Sequence, residues 1–198
     1  ELNYIYFPVE EKNIHHFGLA VLSRFSFLES YFDWLPNLYP KLNLRKRGAL
    51  RVLLDTPAGK IHTINTHLSL FKLERKKQLN ELLTENWLLS VPKDEPVILC
   101  GDFNAGPSSM TYRELSKHLI DVQKTSNKCS LSKATFHAKN PAFQIDHIFK
   151  RLFEYVILVL KFPTLVHKRA ATAATFYGIN SNFKHWKIGA WFSVDFKV

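Results

Sequence analysis

The sequence predicts a mixed α/β or α+β domain, and three observations carry that prediction. Short apolar runs rich in β-branched and aromatic residues recur along the chain: LNYIYFP, GLAVLSRF, GALRVLLD, KIHTINTHL and VILC. Two stretches, residues 72 to 89 and MTYRELSKHL, change to helical spacing. The order that results, strands, helix, strand, helix, strands, contains no internal repeat. With 198 residues, 46% of them hydrophobic and 22% charged, the chain can bury a substantial core in one domain.

Each element has its own signal. LNYIYFP reads as a strand stopped by Pro8, and GLAVLSRF as a second strand. Residues 29 to 47 hold Pro36, Pro40 and the basic cluster Lys41, Arg45, Lys46 and Arg47, the composition of a long loop. GALRVLLD and KIHTINTHL are separated by TPAG, which predicts a hairpin. Over residues 72 to 89, Leu79, Leu82, Leu83 and Trp87 share one helical face, with Lys76, Lys77, Asn80 and Glu81 on the wet side. Pro92 and Pro96 close that helix, and VILC then forms a strand whose unbroken apolar run suits burial on both faces. MTYRELSKHL predicts a second helix, capped by Ser108 or Ser109. A polar loop covers residues 123 to 141, and FQIDHIF and YVILVLKF are the last clear strands. After about residue 162 neither period is visible. From Tyr155 onward there are six Lys and Arg residues against one acid, Asp195.

The net charge of +10 predicts attraction to polyanions, although solvated surface is an equally good account of many of these cations. No apolar run is long enough to span a bilayer, and no secretory signal pattern is present. Cys100 lies in an apolar run and Cys129 in a polar one, so the two cysteines do not make a disulfide framework. That permits a reducing compartment such as the cytoplasm without requiring one.

The chemistry concentrates in three segments. In ILCGDFNAGPSS, Gly101 lets the chain turn at the strand end, and Asp102 and Asn104 are two residues apart, so in extended chain they share a face. Such a pair can hold a hard cation, bond a phosphate oxygen, or orient and deprotonate a water; it can equally open and cap a turn. His67 ends the strand of THL, with Asn65 on the same face. In IDHIF, Asp146 lies within an apolar strand and requires a partner, most simply an imidazole or a guanidinium. His147 faces the other way and reads as structural.

GLAVLSRF, RGALRVLL, INTHLSL, ERKKQLNELL, VILCGDFNAGPSS, YREL and IDHIF, in that order, resemble the endonuclease/exonuclease/phosphatase superfamily, metal-dependent phosphodiesterases related to DNase I. The resemblance runs from about residue 4 to about residue 165. It implies a DNase I-like four-layer sandwich, two packed mixed sheets flanked by helices, with the site at one edge. It also implies roles. Asp102 would position or deprotonate the attacking water. Asn104 would orient the scissile phosphate and help at the metal with Asp102. His67 would bond the phosphate, with Asn65 as a further substrate contact, and Asp146 would orient a histidine. The cofactor implied is Mg²⁺, with Mn²⁺ an alternative, and the substrate contains a phosphodiester, as nucleic acid or phospholipid.

Two parts of the family pattern have no counterpart here. No equivalent of the family's opening pair, a strand asparagine followed by a Gln-Glu dipeptide, precedes GLAVLSRF, and the region where Ser-Asp-His is expected reads HKRAATAATFYGIN. The expectation is therefore a partial family domain over residues 1–165, incomplete at its start, followed by a non-matching basic tail over 166–198. A shifted reading frame near residue 170 and divergence to an inactive relative are both accounts of that pattern. The functional readings are three: a phosphodiesterase or phosphatase-type hydrolase that is weak or inactive as written, a catalytically dead protein holding nucleic acid or anionic lipid through Arg45, Lys46, Arg47, Lys72, Arg75, Lys76 and Lys77, or a degraded gene product with no function. Missing strands would leave sheet edge exposed and favour association.

Overall fold

The computed structural model describes residues 2–12, 15–42, 45–57, 59–125, 134–136, 142–152, 156–166, 169–180 and 183–197. In chain order the elements are β1 (Asn3–Lys12), β2 (His15–Ser23), β3 (Ser26–Trp34), β4 (Gly48–Thr56), β5 (Gly59–His67), α1 (Lys72–Leu82), β6 (Val97–Asp102) and α2 (Met110–Leu115). Then follow β7 (Ile120–Asp121), α3 (Val122–Thr125), β8 (Asp146–Arg151), β9 (Val156–Val166), β10 (Arg169–Asn180) and β11 (Phe183–Lys197). The strands form two sheets. A five-stranded sheet has the order β1-β2-β11-β10-β9 and is antiparallel throughout. A six-stranded sheet has the order β3-β4-β5-β6-β8-β7 and is mixed, with β5 and β6 parallel. The parallel pair needs a crossover, and α1 provides it.

Side-chain alternation sorts the core into two layers. Leu50, Val52 and Leu54 of β4, Ile98 and Cys100 of β6, and Ile148 of β8 meet Leu19 and Val21 of β2 between the sheets. Val97 and Leu99 point to the opposite face, where they join Leu79, Leu82, Tyr112 and Leu115 from α1 and α2. The VILC strand is thus buried on both faces, as its unbroken apolar run requires. Cys100 is a buried free thiol, pushed up in pKa by burial, as befits a core residue. Cys129 lies outside the described residues.

Four local expectations are corrected. Pro8 does not stop β1. An edge strand tolerates proline because its outer amides pair with nothing in the sheet, and the register shifts just after it, between Pro8 and Glu10. Residues 29 to 34 are not loop but the second half of β3, an edge strand that is mostly exposed and so lacks an apolar run. Helix α1 ends at Leu82 rather than near residue 89. There the Thr84 hydroxyl donates to the Glu81 carbonyl (2.7 Å) and accepts from Asn86 N (3.3 Å), a local turn that competes with the next helical bonds. Trp87, Leu88 and Val91 still reach the helix-side core through turns. Finally, the segment beyond residue 162, without visible alternation, is extended: β10 pairs with β9 and β11, and β11 pairs with β2. Backbone pairing sets those strands, and it needs no alternation of side chains.

The second helix is capped by Ser109, whose hydroxyl accepts from Tyr112 N at 3.1 Å. Ser109→Ala should cost about 1 kcal/mol in urea denaturation, and an unchanged midpoint would show the cap to be idle.

Candidate active site

Strand register assembles the site. His67 ends β5 opposite Asp102, which ends β6, and Asp102 is in turn opposite Asp146 at the start of β8. Paired residues in neighbouring strands point to the same face. The three segments singled out in the sequence therefore meet in one row at the end of the six-stranded sheet. The Leu68 amide donates to the Asp102 carbonyl (2.9 Å) and the Phe103 amide to the Ile145 carbonyl (2.9 Å), extending the pairing just past the row.

Gly101 is what permits this close row. Its φ is +153°, and a Cβ there would collide with the backbone carbonyl of Thr66 on β5. Beyond it the chain turns back. Asn104 adopts a left-handed φ of +46°, which asparagine tolerates, and its amide N–H bonds Asp102 Oδ1 at 2.9 Å. The Asn104 carboxamide then reaches across to β5. Its Nδ2 donates to the Leu68 carbonyl (2.8 Å) and lies 3.1 Å from His67 Nε2. A carbonyl can only accept, so this orientation of the amide is forced, and the second hydrogen points at Nε2. His67 Nε2 thus faces both the Asn104 carboxamide and Asp102 Oδ2.

Burial, then the charges of Arg47 and Arg45, hold the His67 imidazole well below its ordinary pKa, so it is neutral. Asp102 Oδ2 lies 3.4 Å from His67 Nε2. Burial pushes the Asp102 carboxyl up to about 6, against the opposing effects of the Asn104 N–H, Arg47 and Arg75. Phe17 of β2 meets the His67 ring edge-on at 5.6 Å, and the Arg45 guanidinium stacks on Phe17 at 4.1 Å.

The other two predicted site residues are placed differently. Asn65 is fully buried, two residues below His67, and its Nδ2 donates to the Ala20 carbonyl of β2 at 3.0 Å, tying one sheet to the other. Asp146 is buried beside Asp102 by register, with its backbone N–H bonded to Thr135 Oγ1 at 3.1 Å. His147 faces the helix side, as expected. It is buried against Phe103, Tyr112 and Phe149 and lies 2.7 Å from the Ala105 carbonyl. Sequence reasoning did not pick out Phe17, and it read Arg45 and Arg47 as surface charge or as contacts for a polyanion rather than as neighbours of His67. The available signal was the hairpin. Its register puts Ala49 opposite Thr66, and Thr66 Oγ1 donates to the Gly48 carbonyl at 3.0 Å, so the RKR run just before Gly48 must lie beside the end of β5.

The donor set does not fit a Mg²⁺ or Mn²⁺ ion. Asp102 Oδ1 is engaged by the Asn104 amide, which leaves Asp102 Oδ2 and the Asn104 carboxamide oxygen, with one formal charge between them. Two guanidinium charges already act on Asp102. Among the described residues no group of three or more His, Cys, Asp or Glu side chains is placed to hold a metal. Mg²⁺ demands six well-placed oxygens and is reluctant to dehydrate.

The family model described as "Endonuclease/Exonuclease/phosphatase family" matches residues 2–182. An uncharacterized protein of Escherichia coli K12, YbhP, is 31% identical over 141 residues, covering 68% of this chain and 51% of that protein. The chain thus spans about half the length of the curated relatives it matches. Solved structures share the fold at low identity. An endonuclease/exonuclease/phosphatase from Beutenbergia cavernae superposes with a TM-score of 0.61 at 18% identity, over 98% of this chain and 53% of that one. A mannosyl-6-phosphatase of Bacteroides thetaiotaomicron gives 0.61 at 18%, over 96% and 77%. D. rerio TDP2, solved with a single-strand DNA product, gives 0.61 at 19%, over 95% and 76%. The DNase I-like architecture of packed sheets and the THL, GDFN and IDHIF segments in one row therefore have a single explanation: the chain belongs to the endonuclease/exonuclease/phosphatase family.

Proposed function

We propose that the corner made by His67, Asp102 and Asn104 is the phosphate-facing part of a phosphoester-hydrolysing site, whose substrate in the whole protein is a phosphodiester of nucleic acid or phospholipid. The observation that supports this best is the row itself. Sequence-distant strands converge so that a neutral imidazole lies 3.4 Å from a carboxyl with a pKa raised to about 6 and 3.1 Å from a carboxamide at the sheet end, with Asp146 beside them in register. A carboxylate of that basicity can take a proton from water near neutral pH. The Asn104 amide hydrogens can turn from His67 to a phosphate oxygen, and Arg45 and Arg47 add positive charge where the phosphoryl oxygens would gather it. Asp146 supports the row from β8. Most of what such a reaction requires is positioning and charge neutralisation, which this corner supplies in part.

The corner alone leaves the 198-residue chain with slow turnover. Residual hydrolysis of bis(p-nitrophenyl) phosphate should fall on the order of 100-fold in His67→Ala and in Asp102→Ala; rates equal to the parent chain would remove the reading. Calorimetric titration with Mg²⁺ is expected to show no tight site. One Mg²⁺ bound tightly per chain would overturn the account of the donor set given above.

A further inference from the structure

A cavity of about 310 Å³ opens between α1 and α2, with none of His67, Asp102 and Asn104 in its lining. Its walls carry Lys72, Arg75, Lys76 and Arg113, together with the hydroxyls of Ser108 and Thr111. Lys72, Arg75 and Lys76 lie at i, i+3 and i+4, one face of α1, and Arg113 stands on α2 across from them. Among the described residues no carboxylate and no aromatic ring lines the cavity.

Apart from Asp102, whose charge acts on Arg75, the nearby acids of the two helices are turned elsewhere. Glu74 is buried on the far side of α1, where Oε2 accepts from Ser69 Oγ (2.6 Å) and Oε1 from the Leu38 amide (3.0 Å). Glu81 accepts from the Asn86 carboxamide at 3.1 Å, and Glu114 pairs with Lys117 at 2.6 Å. These are all the acids of the two helices. Arg75 is held in place by Nη1 bonds to the carbonyls of Ser69 (2.8 Å) and Leu70 (3.1 Å). Its charge acts on Asp102, so the cavity and the corner are electrostatic neighbours. Four like charges facing one space repel each other until an anion enters it.

We propose that this cavity is a phosphate-binding subsite, separate from the His67–Asp102–Asn104 corner, which takes a second phosphate group of the ligand whose first phosphate lies at that corner. The proposal rests on the phosphoester reading for the place of the first phosphate, but its own test does not. Lysine ammoniums supply charge, the arginine forks can bond two oxygens at once, and the hydroxyls complete the oxygen contacts. With no ring to stack on, the subsite recognises phosphate and not a base.

Calorimetry with inorganic pyrophosphate on the full chain at low salt tests it. Lys76→Glu/Arg113→Glu should weaken binding at least about tenfold, while His67→Ala leaves it within about twofold. Lys76→Gln/Arg113→Gln repeats the test with a gentler change if the charge reversal fails to fold. A fluorescent single-stranded oligonucleotide, followed by anisotropy, distinguishes the source of the phosphate. If the double variant lowers the salt slope by about 2, the subsite holds a phosphate of a nucleic acid backbone; an unchanged oligonucleotide affinity beside weakened pyrophosphate assigns it to a small phosphorylated ligand. Pyrophosphate affinity unaltered by both double variants, or abolished by His67→Ala, would overturn the subsite. Hydrolysis unchanged in His67→Ala, beside pyrophosphate binding weakened by the double variants, would instead count against the corner alone.

Discussion

Asp102→Asn should stabilise the protein by about 3 kcal/mol at pH 7 and remove most of its pH dependence between pH 4 and 6. The sign follows from the direction of the shift. Burial raises the Asp102 carboxyl from 3.8 to about 6 in the folded chain, so the folded state holds its proton more tightly than the unfolded state does. Below the unfolded pKa both states are protonated and the penalty is absent. As pH rises through 3.8 the unfolded chain ionises first, and stability falls until the folded carboxyl ionises near 6. Above that the loss is constant. Asparagine keeps the shape and an oxygen acceptor for the Asn104 amide without a charge to bury. Urea denaturation of both proteins from pH 4 to pH 8 measures this. Parallel stability curves would mean that Asp102 does not carry the penalty. The same variant is expected to lose hydrolysis, because the group that destabilises the fold is the proposed base.

Gly101→Ala is expected to destabilise by about 3–5 kcal/mol, the range of severe backbone and overpacking changes. Two effects add. The φ of +153° is one that residues with a side chain rarely adopt. The new methyl would also press on the Thr66 carbonyl, which belongs to the β5–β6 pairing itself. Backbone on both sides leaves no flexible side chain to yield. The strands should part at their ends, where His67 and Asp102 face each other, so a melting shift of about 6–20 °C should accompany loss of the corner; for a chain of this size each kcal/mol moves Tm by about 2–4 °C. Unchanged melting would show that the two strands can separate there at no cost.

Much of this molecule was legible along the chain. The TPAG hairpin, the buried VILC strand, the Ser109 cap and the structural role of His147 each depend on residues close in sequence, and each is present. Misreadings fell where neighbours in space outweigh neighbours in sequence. Pro8 survives in a strand because β1 is an edge, and β3 hid behind charge because edge strands bury little. The segment beyond residue 162 takes its extended form from pairing, and it is joined to the sheet through β11 on β2, more than 160 residues earlier.

The site divides in the same way. Residue types and short spacing determined which side chains carry chemistry: a strand-ending histidine, an aspartate and an asparagine two apart after a glycine, and an aspartate within an apolar strand. Only tertiary structure decided which of them meet. One parallel and one antiparallel pairing with β6 line up His67, Asp102 and Asp146, and that same depth in the sheet raises the Asp102 carboxyl and keeps His67 neutral. It also sent Asn65 to the Ala20 carbonyl between the sheets and set Arg113 across from the cations of α1. Register, burial and charge neighbourhood are properties of strands and helices placed together, and no local stretch of sequence contains them.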